Sequence, residues 1–304
     1  MKRKVVKQGA ATLMISLPSK WCKLHHLKKG DEISIEETNN NLLISKDTII
    51  EKKQTTIELS NYTESAIRTA IINAYRTGYD KLVMHVTDEK QYATITRTIH
   101  DYLIGFEVIK REKEHCIIEN ITEPSEEKFD VLFRKIFYNI RLLIANTEER
   151  LQNKIKFEEY KDIVLKIHQY DNFCRRVISK RRLFGDTANV VWAFLNTLIH
   201  GQRELYHLNK FLDKNKVVFK NKEFYSHLKE IFALLEEAYL KRDRTKIEKI
   251  HEQEKIIIYE EFYNLIQKNK KENIIFYHLA AAIRNFYLAS SPLMGMLLSP
   301  NNSK

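Results

Sequence analysis

The sequence predicts a multi-domain α+β protein that is β-rich at its N-terminus and entirely helical over its C-terminal part. Three observations support this fold class. Short runs of alternating apolar residues fill the first 45 residues, strand and helix patterns then alternate as far as residue 123, and apolar residues recur at helical spacing from there to the end. The chain has 7 Gly and 4 Pro, few for its length, which favours helices over long flexible linkers.

Length and pattern together predict three domains. A chain of 304 residues has the length of two or three ordinary domains. We place them at residues 1–50, 51–123 and 124–304. The first is expected to be a small β-rich domain, the second a small α/β connecting domain, and the third an all-α domain.

Composition predicts an acidic partner and a cytoplasmic location. The net charge of +11 attracts polyanions. The three cysteines are odd in number and far apart, which indicates neither a disulfide framework nor a cysteine zinc site. No signal peptide is expected, because the first apolar run is short and broken. The most apolar stretch, 279–298, contains Arg284 and Pro292, so we expect a bundle helix and no membrane insertion.

The first 45 residues predict two strands, a short helix and a closing hairpin. The run 12–17 is apolar enough for the second strand, and Pro18 suits the first position of a helix that carries Trp21. Gly30 tolerates the backbone angles of a turn. Isoleucines and leucines then alternate on either side of Asn39–Asn41, which predicts the hairpin.

Basic side chains cluster in the same segment. Eight of the first 29 residues are Lys or Arg, and acidic residues begin only at Asp31. Such a cluster on a small domain is typical of binding to a phosphate backbone. The alternative is a solvated cationic surface that only keeps the protein soluble. We expect DNA contacts from Lys2, Arg3, Lys4, Lys7, Lys20 and Lys23.

This segment resembles the SpoVT-AbrB swapped-hairpin DNA-binding domain. The resemblance is carried by Ser16-Leu17-Pro18, by Trp21 and by the run Leu27-Lys28-Lys29-Gly30-Asp31-Glu32-Ile33. It implies a homodimer in which two chains interleave their hairpins into one small β-barrel that binds DNA. A segment this short also forms a marginal core alone, and such domains often need oligomerisation.

The middle region predicts the order β-α-β-α-β-β. Thr63 or Asn61 can cap its first helix and Asp88 its second. We find no Gly-rich phosphate loop and no catalytic pair, so we expect the region to connect the other two. The alternative is that it holds a small ligand, which nothing in the sequence identifies. The third region predicts six helices, at 125–153, 157–184, 187–214, 221–242, 244–269 and 271–298.

Two short motifs recur within the helical region. The run Lys166–Asp171 is similar to Lys249–Glu254, an offset of 83 residues, and Arg203–Tyr206 is similar to Arg284–Tyr287, an offset of 81. A nearly constant offset indicates two related three-helix bundles. Such a pair resembles the PhoU family of phosphate-signalling regulators, and its combination with the N-terminal segment resembles the archaeal phosphate-uptake regulators.

The resemblance implies a DNA-binding regulator of phosphate uptake, with a phosphate transporter or signalling protein as a further partner. The family's acidic E/D-x-x-x-D metal motif is altered, since Ile167 and Ile250 stand four residues before Asp171 and Glu254. A carboxylate and an imidazole three residues apart can still share a metal ion. Candidate ligands are therefore His168, Asp171, His251 and Glu254.

We favour a different arrangement, in which each buried carboxylate is held by an arginine and a tyrosine. The expected partners are Arg203 and Tyr206 in one bundle, and Arg284 and Tyr287 in the other. Apart from this metal ion, we expect no cofactor. Three functions remain open: a dimeric transcription regulator, an adaptor for a transporter or kinase, and a metalloenzyme. No nucleophile–base pair with a local signature occurs, so the sequence predicts a protein that is not an enzyme.

Overall fold

The computed structural model of the chain describes residues 2–9, 11–38, 41–46, 52–122, 127–181, 183–217, 219–268 and 270–299. These residues divide into two compact units at Lys52–Lys53. The first unit is β-rich, and the second contains a four-stranded sheet and a larger set of helices. The predicted α+β class fits the described part of the chain. The predicted boundaries at 50/51 and 123/124 lie outside the described residues.

The first unit, which we call the head, contains two separate antiparallel strand pairs. Its elements are β1 (Val6–Gln8), β2 (Thr12–Met14), α1 (Ser19–Leu24), β3 (Ser34–Thr38) and β4 (Asn41–Ser45). β1 pairs with β2, and β3 pairs with β4. This is the predicted order of elements, except that Pro18 precedes the first turn of α1 and does not belong to it. Asn39 and Asn40 of the predicted hairpin turn lie outside the described residues.

The second unit begins with a four-stranded sheet in the predicted β-α-β-α-β-β order. Its elements are β5 (Gln54–Glu58), α2 (Glu64–Arg76), β6 (Lys81–His85), α3 (Glu89–Tyr102), β7 (Phe106–Arg111) and β8 (His115–Asn120). The strands lie in the order β5-β6-β8-β7, with β5 and β6 parallel and the other pairs antiparallel. Alternate residues of β6 and β8 are buried, so the sheet packs its helices on one face.

Capping residues explain where the two helices of this layer begin. The side chain of Thr63 accepts a hydrogen bond from the backbone N–H of Ala66, and that of Asp88 accepts one from Gln91. These bonds satisfy N–H groups that have no partner within the helix. Between the helices and the sheet, Tyr75 and Phe106 meet edge to face at 5.0 Å.

The remaining helices lie within three residues of the predicted ranges at each end. They are α4 (Glu127–Leu151), α5 (Tyr160–Arg181), α6 (Ala188–Leu212), α7 (Lys222–Lys241), α8 (Thr245–Ile256), α9 (Phe262–Lys268) and α10 (Asn273–Leu298). The fifth predicted helix, 244–269, is interrupted by a π-helical turn at Ile257–Glu261, which separates α8 from α9. A π turn adds one residue to a helical turn, and apolar spacing alone does not reveal it.

The helices form two groups, α4–α6 and α7–α10, that meet along α6 and α10. Gly201 permits this close approach, because a Cβ atom there would clash with the ring of Phe286. Phe286 in turn packs on Phe232, with ring centres 5.0 Å apart. The helical core is continuous across both groups.

Helix α5 joins the helical groups to the sheet layer through a buried arginine. Arg176 is fully buried, and its Nη1 donates to the backbone oxygens of Tyr75 and Tyr79. Its Nη2 donates to Oδ1 of Asp80 over 2.6 Å, and Lys180 pairs with the same carboxylate. Because buried charges are costly unless paired, this cluster fixes the position of α2 against α5.

Candidate functional site

The six basic residues predicted to contact DNA are all exposed on the head. Within the part of the chain that the structure describes, none of their side chains forms a hydrogen bond or an ion pair. Lys7 lies on β1 opposite Leu13, and Lys20 and Lys23 lie on α1. Their positive charges are therefore free to meet an external anion.

The apolar side chains of the head are also accessible to solvent. None of the residues up to Lys52 whose burial the structure describes is buried in the single chain. Leu13 is 70% exposed, Ile35 is 56% exposed and Leu42 is 61% exposed. Ile35 lies directly opposite Ile44 in the β3–β4 pair. The head therefore presents apolar strand surface that a single chain leaves uncovered, a feature typical of interaction sites.

A second candidate site lies at Asp171, which is completely buried on α5. Its Oδ2 accepts a hydrogen bond from Nη2 of Arg76 and its Oδ1 accepts one from Nε of Arg175, both over 2.8 Å. Arg76 also donates through Nε to Oδ1 of Asn172 over 2.7 Å. The guanidinium group of Arg175 lies 4.8 Å from the ring centre of Trp192. Two arginines thus neutralise one carboxylate, and one of the two, Arg76, belongs to the sheet layer.

This arrangement corrects the predicted partners of Asp171. Arg203 is exposed and forms no hydrogen bond or ion pair with Asp171, and Tyr206 packs instead on Tyr160 at 5.8 Å between ring centres. The prediction considered only helices of the bundle and missed Arg76, which has no local sequence signal. Arg175 could have been found, because a carboxylate and an arginine four residues apart on a helix are neighbours.

His168 lies one turn before Asp171, and its imidazole forms no hydrogen bond to a described residue. Its ring packs on Tyr102, with centres 5.9 Å apart. Burial lowers the pKa of His168 to about 4; Asp171 opposes this shift, and the charges of Arg76, Arg203 and Arg68 add to it. The imidazole is therefore neutral at pH 7.

The second carboxylate, Glu254 on α8, is held as predicted by Arg284. Nη1 of Arg284 lies 3.3 Å from Oε1 of Glu254 and donates to the hydroxyl of Tyr259 over 2.9 Å. The predicted Tyr287 does not hold the carboxylate and packs instead on the ring of His251 at 5.0 Å. Tyr259 bonds the arginine and not Glu254. Nε2 of His251 lies 3.1 Å from Oγ of Ser290. The π turn places Tyr259 at this site, and no sequence signal predicts it.

The four candidate metal ligands thus belong to two separate places, each with one carboxylate bound by arginine. Among the described residues, no group of three or more His, Cys, Asp or Glu side chains has a geometry that could hold a metal ion. Positively charged guanidinium groups beside both carboxylates disfavour a cation there. The arrangement is instead suited to holding α5 and α8 in place.

Comparison with known proteins identifies no relative of the chain. No protein family model, curated protein or solved structure matches the chain. Within the described ranges, no helix combines the length and the apolar character needed to cross a membrane.

Proposed function

We propose that the protein is a homodimeric DNA-binding transcription regulator that binds through its head. The observation that carries this proposal is the set of six exposed basic residues whose side chains meet no acidic partner in the described ranges. Basic side chains that are not neutralised within the protein gain most from a phosphate backbone, because each contact releases counterions from the DNA. The SpoVT-AbrB resemblance of the same residues supports the proposal.

The exposed apolar strands support the homodimer. Two-stranded sheets are marginally stable alone, and small domains without a core commonly need a second chain. We propose that β1–β2 and β3–β4 of two copies combine into one barrel, which covers Leu13, Ile35 and Leu42. The basic residues of both copies then form one continuous surface for DNA.

The regulated process that we propose is phosphate uptake. It is supported by the two related helical groups and their resemblance to the PhoU family. A second candidate function is that of an adaptor for a transporter or sensor kinase, with the head serving to dimerise. Exposed aromatic side chains on the helices, such as Tyr138, Tyr259 and Tyr277, favour a protein partner of this kind.

Mapping the DNA that cross-links to the protein in its own cells tests the proposal. A head variant, Arg3→Ala with Lys4→Ala and Lys7→Ala, removes three of the six cations. A control variant with the same charge change replaces the exposed helical residues Lys249, Lys255 and Lys268 by Ala. We expect defined promoter sites for the parent and the control, and none for the head variant. Sites near genes of phosphate uptake would support the assigned process, and an absence of any enriched site would contradict the proposal.

A further inference from the structure

The two related helical groups differ in what covers them. In the first group, α5 packs on α4, on α6, and on α2 and α3 of the sheet layer. Its counterpart in the second group is α8, which carries the recurring motif 83 residues later and packs on α7 and α10. Among the described elements, none of the sheet layer makes a comparable contact with α8. One side of α8 is therefore left uncovered by the chain.

The offset of 83 residues links buried side chains of one group to exposed side chains of the other. Asn172 and Arg176 of α5 are 1% and 0% exposed, because they bond residues of the sheet layer. The same offset leads from them to Lys255 and Tyr259, which are both exposed. The side of α8 that corresponds to the covered side of α5 thus faces solvent.

This uncovered side continues from α8 into the π turn and α9, and we call it the outer face. Its exposed residues are Glu252, Lys255, Ile256, Tyr259, Glu260 and Tyr263. Ile256 is 57% exposed, and Tyr259 and Tyr263 are each 49% exposed with ring centres 6.2 Å apart. A cluster of accessible apolar and aromatic side chains of this kind is typical of an interaction site.

The outer face is acidic, although the chain as a whole carries a net charge of +11. Residues 252–263 contain four glutamates and one basic residue, Lys255. The side chains of Glu252 and Glu260 form no hydrogen bond or ion pair within the described part of the chain. The charge that complements this surface is therefore positive.

The carboxylate of Glu254, which is 3% exposed, lacks a partner that its counterpart has. Asp171 is bound by two arginines over 2.8 Å, and one of them, Arg76, comes from the sheet layer that covers α5. Oε1 of Glu254 lies 3.3 Å from Arg284, and Oε2 accepts no hydrogen bond from a described residue. Buried carboxylates gain most from close, charge-assisted hydrogen bonds. The place that Arg76 takes in the first group is open in the second.

We propose that the outer face binds an α-helix of another protein, and that this helix carries an arginine that bonds Glu254 as Arg76 bonds Asp171. Apolar side chains of the same helix cover the aromatic residues of the outer face, and its other basic residues meet the unpaired carboxylates. The partner helix thus lies on α8 as the sheet layer lies on α5. This inference rests on the adaptor function proposed above and is independent of DNA binding.

Photo-cross-linking of the full chain in its own cells tests this surface. A benzophenone amino acid replaces Tyr263 and, in a control strain, replaces Tyr138, a 54% exposed tyrosine of α4. Position 263 should cross-link to a helix of one other protein that contains an arginine, and position 138 should not. The outer face is excluded if position 263 cross-links to nothing, only to the chain itself, or to a segment without arginine. It is equally excluded if both positions cross-link to the same segment.

Charge reversal distinguishes recognition from adhesion to an apolar surface. The affinity of the full chain for the purified cross-linked partner is measured by calorimetric titration. Glu252→Lys with Glu260→Lys should weaken binding about tenfold, because like charges then meet across the interface. Glu158→Lys with Glu159→Lys makes the same charge change at exposed positions outside the outer face and should bind as the parent does. Equal affinities of the two double variants would exclude the proposed surface.

Glu254→Gln tests the arginine contact directly. It removes the charge at similar volume and leaves Arg284, which is 46% exposed, accessible to water. The affinity should fall about tenfold, as expected when one charge-assisted hydrogen bond is lost. Replacing the arginine of the partner helix by Gln should cost the same, and both changes together should cost no more than either alone. An unchanged affinity of Glu254→Gln, or losses that add, would exclude the contact.

Failure of this surface can be distinguished from failure of the adaptor function. Cross-links to another protein from position 138 alone would overturn the outer face and leave the adaptor function standing. An absence of cross-links from both positions would contradict both. The head variant should cross-link through position 263 as the parent does, which separates this test from DNA binding.

Discussion

Arg76, in the last turn of α2, donates a hydrogen bond to Asp171, in the middle of α5, although the two residues are 95 positions apart. The side chain of Asp171 is completely buried and that of Arg76 is 22% exposed. Together with the buried pair of Arg176 and Asp80, this contact fixes the sheet layer to the helical groups. The layer that the sequence predicted to be a connector is thus joined to the helices by paired charges.

Loss of the Asp171 carboxylate should therefore destabilise the protein. Asp171→Ala leaves Arg175, which is 3% exposed, without its partner. We expect the free energy of unfolding to fall by about 3 kcal/mol in urea denaturation, as is usual when one member of a buried pair is removed. Asp162→Ala, an exposed position on the same helix, should cost less than about 1 kcal/mol. Equal losses in the two variants would argue against this role of Asp171.

His168 should make stability depend on pH in the weakly acidic range. Burial lowers its pKa in the folded chain from 6.5 to about 4. The unfolded chain binds a proton on His168 as pH falls below 6.5, and the folded chain does not until about pH 4, so stability is lost between these values. His168→Gln should reduce this loss by roughly 2 kcal/mol in denaturation measured from pH 7 to pH 4.

The exposed His200 provides the control for that experiment. His200→Gln should leave the dependence on pH unchanged, because the side chain is exposed to solvent and makes no polar contact that folding creates among the described residues. A His168→Gln variant whose stability falls with pH as steeply as that of the parent would contradict the account.

Gln202 should be replaceable by an apolar residue with a gain in stability. Its side chain is fully buried, and neither Oε1 nor Nε2 has a hydrogen-bond partner among the described residues. Gln202→Met removes this unsatisfied amide at similar volume and should raise the free energy of unfolding by about 1 kcal/mol. Gln91→Met is the contrast, because Gln91 donates to the backbone oxygen of Leu59 and accepts from Thr87 N–H. That variant should lose stability, and a loss of the same size for Gln202→Met would contradict the prediction.

Charged residues on the apolar strands of the head should dissociate the proposed dimer. Leu13→Glu or Ile35→Glu places a carboxylate where a second copy would cover the strand, and a buried unpaired charge is costly. In sedimentation velocity we expect the parent chain to be a dimer and each variant a monomer. Leu240→Glu, at a 40% exposed apolar position outside the head, should remain dimeric. A monomeric parent would exclude the dimer.

The helices could be predicted because each has a continuous apolar stripe and few Gly or Pro interruptions. Thr63 and Asp88 similarly marked the starts of α2 and α3. The π turn at Ile257–Glu261 could not be predicted. One extra residue within a single turn leaves the apolar residues of the helix at almost the same spacing. The head elements followed from local patterns, whereas a barrel requires contacts that one sequence does not specify.

The carboxylate sites were predicted only in part, because local patterns reveal some of their contacts and long-range packing determines the others. Burial of Asp171 and Glu254 followed from their place in an apolar stripe, and Arg284 followed from the recurring motif. Arg76 was missed because its contact with Asp171 is long-range and depends on how α2 packs against α5. The basic residues of the head were visible in the sequence, but their lack of acidic partners among the described residues is known only from the structure.

The salt dependence of binding to duplex DNA tests the central claim most directly. Fluorescence anisotropy with a labelled duplex, at a series of salt concentrations, gives the slope of log affinity against log salt. We expect a steep negative slope for the parent and the control variant. For the head variant we expect weaker binding and a slope whose magnitude is smaller by roughly 0.9 for each phosphate that the variant no longer neutralises. A head variant with the affinity and slope of the parent would show that Arg3, Lys4 and Lys7 do not bind DNA.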